Sequence, residues 1–266
     1  MTIEPLTGGQ ANTVFAVTVD SGERVVLRLH ARSDGFAGTE HTMARLKLLG
    51  LPVPDVIASG LAREFSWLIL SWTPGCELRW ALAEMTPAQQ TRVAEQLVGF
   101  QRQVGALPQG EGFGYVPPGT KGTHAGWLDL LAPHPRLAEA PADIAAYLEE
   151  VPPTCFLDDI TGKNVIIENG VLTGLIDLDY VCYGDPLYWL ALTHVGLVCD
   201  TAGEYYATEL IRLWAPSPLE SRVLAFYSAL MADDFLAWFS GAESPEWQQR
   251  MRAAQARWLQ EASGTK

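Results

Sequence analysis

The stretch from Phe156 to Tyr188, FLDDITGKNVIIENGVLTGLIDLDYVCYGDPLY, constrains this chain more than any other. Asn169-Gly170 stands between two apolar runs, and Asn-Gly is the strongest short hairpin signal because both residues accept the positive φ of a tight turn. A two-residue turn there pairs Glu168 with Val171, and counting back sets Asn164 opposite Leu175. Asp177 then becomes the diagonal neighbour of Asn164 on the same face, roughly 7 Å away at the backbone. An amide oxygen and a carboxylate so placed can share a hard, oxygen-seeking cation such as Mg²⁺. Asp159, in the segment entering the hairpin, adds a second carboxylate beside that pair. Cation ligands for phosphates, with a carboxylate to orient an attacking hydroxyl, are the minimum kit for phosphoryl transfer. A hairpin carrying incidental acids is the competing reading of the same window.

The rest of the chain gives this window a setting. Thr13 to Val19 and Arg24 to His30 are β-rich runs joined by the turn Asp20-Ser21-Gly22-Glu23. Helical spacing follows from Phe36 to Leu49, with Gly50 as its stop and Pro52 and Pro54 beyond. Strand-like runs recur at Asp55 to Ser59 and Ser66 to Trp72, and Thr73-Pro74-Gly75 breaks the chain. Thr86-Pro87 with Gln89 reads as a capped helix start, and Val93, Leu97, Phe100 and Val104 keep helical spacing behind it. Gly105 to Pro135 reads as an irregular connection. Leu219 to Ala262 is again helical, interrupted near Ser240 to Pro245. The coarse organisation is α+β: a small β-rich lobe (1–72), a short hinge (73–76) and a larger, mostly helical lobe (77–266).

Composition excludes some partners. Of 266 residues, 18 are Lys or Arg and 31 are Asp or Glu, a net charge of −13 that would repel nucleic acid and anionic membranes. A cationic acceptor suits this charge better. Cys76, Cys155, Cys182 and Cys199 show no metal or disulfide spacing and read as thiols of a reducing cytoplasm. The first residues lack the charged and apolar regions of a secretion signal, and no apolar run reaches ~18 residues, so cytoplasmic residence is expected. No GxxxxGK[ST] sequence is present, which argues against a P-loop.

Leu157-Asp158-Asp159, Asn164, Ile176-Asp177-Leu178 and Gly184-Asp185-Pro186 together resemble the aminoglycoside phosphotransferase and choline kinase superfamily, small-molecule kinases with a bilobal protein-kinase-like fold. The resemblance implies Asp159 as catalytic carboxylate, Asn164 and Asp177 as Mg²⁺ ligands, and ATP or GTP as phosphoryl donor. Leu6 to Val14 (LTGGQANTV) resembles the family's nucleotide-covering loop, where Gly8, Gly9 and Asn12 approach phosphate. The family's phosphate-contacting lysine corresponds to Arg28, with Glu40 of the following helix as its expected brace; arginine keeps the charge but not the geometry. Trp67 to Gly75 resembles the hinge, putting Ser71 and Thr73 beside the base. Acceptors in the family range over aminoglycosides, choline, amino alcohols and sugars.

Two positions depart from the family pattern. Leu157 stands where it has histidine, and Trp189 where an acid follows Gly-Asp-Pro. The expectation is that a polar brace was exchanged for a packed Leu157–Trp189 contact. Asp158 replaces the family's glycine and is expected to face solvent; Asp179 either approaches the cation or starts the next loop; Asp185 caps the turn before Pro186. Trp127, Trp189, Trp214 and Trp238 read as core or as cation–π partners of an acceptor. These departures keep a catalytically silent nucleotide-binding protein of the same fold open as the alternative.

Overall fold

The computed structural model describes residues 1–6, 12–199, 202–239 and 244–264. Strands β1 (Thr2–Leu6), β2 (Thr13–Thr18) and β3 (Arg24–His30) lead into helix α1 (Thr39–Leu48), followed by β4 (Val56–Ala62) and β5 (Phe65–Ser71). The strands form one antiparallel sheet in the order β1-β2-β3-β5-β4. β1, which the sequence reading omits, is an exposed edge strand; its Pro5 fits there because an edge has ladder positions that need no N–H. Helix α1 turns Thr39, Thr42, Met43 and Leu46 inward, the i, i+3, i+4, i+7 stripe of a helix lying on a core.

The chain then passes through β6 (Cys76–Glu77) and the short α2 (Leu78–Ala81) into α3 (Pro87–Gly105). The capping box forms as its letters suggest: Thr86 N–H donates to Gln89 Oε1 at 2.9 Å and Gln89 N–H returns to Thr86 Oγ1. The connection beyond it is less irregular than expected, holding β7 (Gly114–Val116) and α4 (Trp127–Leu131) before α5 (Ala142–Glu149). Next come β8 (Thr154–Phe156), the hairpin β9 (Val165–Glu168) and β10 (Val171–Leu175), and β11 (Val181–Gly184). Helices α6 (Leu187–Leu197), α7 (Glu204–Trp214), α8 (Pro218–Trp238) and α9 (Pro245–Ser263) close the larger part. Val223 to Ala232 of α8 is buried without a break, so this helix is the interior post around which the others pack.

Two small sheets position the functional window: β10-β9-β6 and β7-β11-β8. Cys76 pairs with Ile167, which lays the segment leaving the large sheet directly on the hairpin. Gly75 makes this approach possible. Its φ is +121°, and a Cβ there would stand 2.3 Å from the Ile167 carbonyl oxygen. Among the described residues no helix is long and apolar enough to cross a membrane.

Candidate active site

The Asn169-Gly170 turn forms as its sequence requires, with φ of +54° and +76° and Glu168 paired to Val171. The register further along differs from the expected one. A bulge at Thr173 shifts it, so that Leu175 pairs with Val165 and the Ile176 N–H reaches the Asn164 carbonyl at 2.9 Å. Thr173 Oγ1 lies 2.6 Å from the Pro74 carbonyl, so the bulge meets the linker from the large sheet. Asn164 therefore faces Ile176, not Leu175. Asp177 follows with φ +60°, a left-handed turn that takes the chain out of the strand, and its carboxylate lines the same cleft as Asn164 and Asp159.

The loop carrying Asp159 is held from four directions. Gln101 of α3 brackets Leu157, donating to its carbonyl at 2.7 Å and accepting its N–H at 3.0 Å. The Trp189 indole N–H donates to the Ile160 carbonyl at 3.2 Å. Arg79 N–H donates to the Gly162 carbonyl at 2.9 Å, and Asn164 Nδ2 donates to the Asp159 carbonyl at 2.8 Å. That last bond fixes the Asn164 amide and leaves its Oδ1 as an acceptor. Leu157 and Trp189 are both fully buried in one core. Trp189 does more than fill the core: its indole N–H and the Gln101 amide give this loop polar links.

Asp159 keeps its carboxylate partly open. Thr161 Oγ1 donates to Oδ1 at 3.2 Å, and Lys163 Nζ stands 3.1 Å from Oδ2. Its neighbour Asp158 does not face solvent as expected. Asp158 Oδ1 is buried without a hydrogen-bond partner, and burial, reinforced by the Asp159 charge, pushes its carboxyl up to about 7.

Arg28 sits in a different setting from the expected one. Glu40 does not brace it; Glu40 is exposed and accepts a hydrogen bond from the Ser59 hydroxyl. The cause is helical phase, since Thr39 and Thr42 hold the inward face of α1 and Glu40 lies about 100° around from Thr39. Arg28 instead reaches across the cleft. Its Nη1 donates to Asp179 Oδ1 at 2.9 Å, and its Nη2 donates to Asp179 Oδ2 at 2.7 Å and to Asp177 Oδ1 at 2.8 Å. Thr39 Oγ1 donates to Asp179 Oδ1 and Thr42 Oγ1 to the Asp179 carbonyl. The buried guanidinium thus ties β3, and the two threonine hydroxyls tie α1, to the segment after the hairpin.

The cleft between the large sheet and the hairpin has a volume of about 730 Å³. Its lining includes apolar side chains of the large sheet, Val14, Val26 and Leu70, and of the hairpin and the residue after it, Ile166 and Ile176. Ser71 and Thr73 line it, although the Ser71 N–H and hydroxyl are already bonded to Asp55, leaving the backbone beyond Ser71 for a flat ligand. Asn12 also lines the cleft, and its Oδ1 is buried without a partner. Gly8 and Gly9 lie outside the described residues. The tryptophans divide. Trp127 and Trp189 are core, Trp214 packs on Trp189 at 6.0 Å, and Trp238 is exposed. Asp185 Oδ1 accepts the Leu187 N–H at 3.0 Å, the capping expected of it, while its Oδ2 ends a buried Trp127–Tyr227–Asp185 chain.

Among the described residues no cluster of three or more His, Cys, Asp or Glu is arranged to hold a metal ion. Asn164 Oδ1 and the Asp177 carboxylate, one oxygen of which accepts from Arg28, offer oxygen ligands to one cleft. That fits Mg²⁺, which usually takes one or two protein oxygens and completes its shell with water and phosphate.

Residues 2–227 match the model of the phosphotransferase enzyme family. Hygromycin-B 4-O-kinase of Escherichia coli is 25% identical over 206 residues, covering 70% of this chain and 60% of that protein's length. Among solved structures, a thermostable aminoglycoside phosphotransferase APH(4)-Ia in ternary complex with AMP-PNP and hygromycin B superposes with a TM-score of 0.73 at 20% identity. That match covers 99% of this chain and 95% of that one. A putative fructosamine-3-kinase from Haemophilus somnus 129PT gives a TM-score of 0.65 at 14% identity, over 97% of this chain and 91% of that one. These likenesses show the bilobal, protein-kinase-like fold.

Proposed function

The chain belongs to the phosphotransferase enzyme family, and on that premise we propose that it transfers the γ-phosphoryl group of ATP to a hydroxyl of a small, amino-bearing acceptor. The observation that carries this reading is that Asp159, Asn164 and Asp177 line one cleft together with the apolar side chains of Val14, Val26, Leu70, Ile166 and Ile176. In this reading the base lies among those apolar side chains against the backbone after Ser71, and Asn12 bonds the sugar or phosphates. Residues 1–72 form the nucleotide lobe, 73–76 the hinge and 77–266 the catalytic and acceptor lobe. Asn164 and Asp177 are the side chains that would hold Mg²⁺, which when bound supplies positive charge to the phosphate oxygens.

Asp159 orients the acceptor hydroxyl. The hydroxyl oxygen forms a bond to the γ-phosphorus, the bond from that phosphorus to the bridging oxygen breaks, and the proton passes to Asp159, leaving ADP and a phosphate ester. The braces on Leu157, Ile160 and Gly162 keep that carboxylate in place, which is where positional catalysis is won or lost. The net charge of −13 favours an amine-bearing acceptor, and aminoglycosides are the class to assay first because hygromycin B is bound by the structural relative. The cytoplasm, where ATP is abundant, is the compartment this reading implies.

A two-part assay tests the reading. Mg²⁺ with ATP should raise the melting temperature of the wild type, and a panel of aminoglycosides and amino alcohols should reveal a phosphorylated product. Asp159→Asn should bind nucleotide with little change and lose about 10²-fold or more in turnover, the usual scale for a general base. A variant that turns over like wild type would remove Asp159 from its role. No stabilisation by magnesium nucleotide would remove the phosphotransferase reading itself.

A further inference from the structure

We propose that Lys163 is a catalytic residue that holds the transferred phosphoryl group, supplying the charge that Arg28 has committed elsewhere. The inference rests on the phosphotransferase reading above. Phosphoryl transfer is catalysed mostly by cations aimed at the moving group's oxygens. Among the described residues three cationic side chains line the cleft: Arg28, Arg79 and Lys163.

Arg28 is poorly placed for that work. Its side chain is 5% exposed and three hydrogen bonds bind it to the carboxylates of Asp177 and Asp179. One positive charge facing two negative ones presents no net positive field to a polyphosphate. Arg79 is engaged as well, its Nε bonded to Glu77 Oε2 at 2.5 Å and its guanidinium lying 4.7 Å from the Trp80 ring centre.

Lys163 differs from Arg28 in its exposure and from Arg79 in its partner. Its side chain is 50% exposed, and its one ion pair is with Asp159 Oδ2 at 3.1 Å. Asp159 is itself 36% exposed, so this is a solvent-screened pair of the kind worth little, and it can be exchanged for a stronger partner. An ammonium group carries three donors, enough to keep Asp159 and take a phosphoryl oxygen together. The origin of the side chain is fixed, because the next residue, Asn164, is locked onto the Asp159 carbonyl. Lys163 therefore lines the cleft beside the carboxylate that orients the acceptor, on the loop that also carries the residue assigned to the cation.

The chemistry follows from that placement. A terminal phosphoryl group brought beside Asp159 sets like charges together, and an ammonium between them offsets the repulsion. During transfer the acceptor oxygen bonds to phosphorus, the bond to the bridging oxygen breaks and the proton goes to Asp159. Lys163 gives up no proton; it stays paired with the phosphoryl oxygens from donor to acceptor.

The test compares a triphosphate analogue with a diphosphate, because only the former carries the group Lys163 is assigned to hold. Affinities for Mg²⁺ with AMP-PNP and for Mg²⁺ with ADP are measured by calorimetry on wild type, Lys163→Met and Lys163→Arg. Turnover with the acceptor found in the panel is measured at saturating ATP. Lys163→Met should weaken AMP-PNP by about tenfold while ADP holds within about twofold, and kcat should fall by about 10²-fold, the scale of losing one preorganised donor. Lys163→Arg should recover most of both losses. A Lys163→Met protein with an unchanged AMP-PNP to ADP ratio, or with unchanged kcat, overturns the assignment. A wild type that binds neither nucleotide fails at the earlier step, and the two failures are told apart by the wild-type titration alone.

Discussion

Replacing Arg28 with methionine offers a quantitative test of how the two lobes are joined. The substitution keeps an apolar stem of similar reach and removes the guanidinium that bridges Asp177 and Asp179. Asp179, with a side chain only 14% exposed, is left with a single side-chain donor, Thr39 Oγ1 at 3.2 Å. Stranding one partner of a buried ion pair costs about 3–5 kcal/mol, and the residual exposure and the threonine place Asp179 near the lower end. Asp177 is 48% exposed, so solvent screens it and its share is at most about 1 kcal/mol. A loss of about 3–4 kcal/mol is expected. At about 2–4 °C per kcal/mol for a chain of this size, the melting temperature should fall by about 6–16 °C. Differential scanning calorimetry without nucleotide measures it. Glu40→Ala serves as the contrast, because an exposed residue on the outer face of α1 should change stability by no more than about 0.5 kcal/mol. Arg28→Met combined with Asp179→Asn removes the stranded charge and should recover at least half the loss. An Arg28→Met protein that melts like wild type, or a Glu40→Ala protein that loses as much, would refute the cross-cleft bridge.

Gly75→Ala should be among the costlier single-methyl additions in the chain, since it forces a side chain into positive φ and onto the Ile167 carbonyl. The backbone term of about 1–2 kcal/mol and the overlap of about 1–3 kcal/mol make a loss of about 2–5 kcal/mol, readable by urea unfolding. The pH dependence of stability turns on Asp158, whose carboxyl burial pushes up to about 7 from an ordinary 3.8. The folded chain holds that proton where the unfolded chain has lost it, so the contribution is whole below about pH 4 and disappears as pH rises towards 7. Asp158→Asn has no proton to lose, and its stability relative to wild type should rise by about 2–4 kcal/mol between pH 4 and pH 8. Parallel pH curves for the two proteins would show that Asp158 is not a buried carboxyl.

Local chemistry was legible in the letters, and long-range contacts were not. The Asn169-Gly170 turn, the Thr86 capping box and the Asp185 cap all form as read, because each depends on residues a few positions apart. The bulge at Thr173 could not be read, since Thr173 there meets the carbonyl of Pro74, about a hundred residues away in sequence. Glu40 drew attention as the acid in the helix, yet the helix phase is set by its buried stripe. Thr39, Thr42, Met43 and Leu46 carry that signal. Gln101 was equally readable: it lies four residues after Leu97 on the buried face of α3, and a glutamine in such a stripe needs a buried partner, here the backbone of Leu157. Lys163 carries no sequence signal, because a lysine in a loop has no pattern, and only the folded loop brings it to Asp159.

The most direct check on the central geometry replaces Mg²⁺ with Mn²⁺ and follows it by electron paramagnetic resonance in the presence of ADP. One nucleotide-dependent Mn²⁺ per chain is expected in the wild type, with binding weakened at least about tenfold by Asp177→Asn or Asn164→Ala, and unaffected by Glu40→Ala. Mn²⁺ that binds without nucleotide, or as tightly to both cleft variants as to wild type, would mean that the amide and the carboxylate beyond the hairpin do not serve one cation.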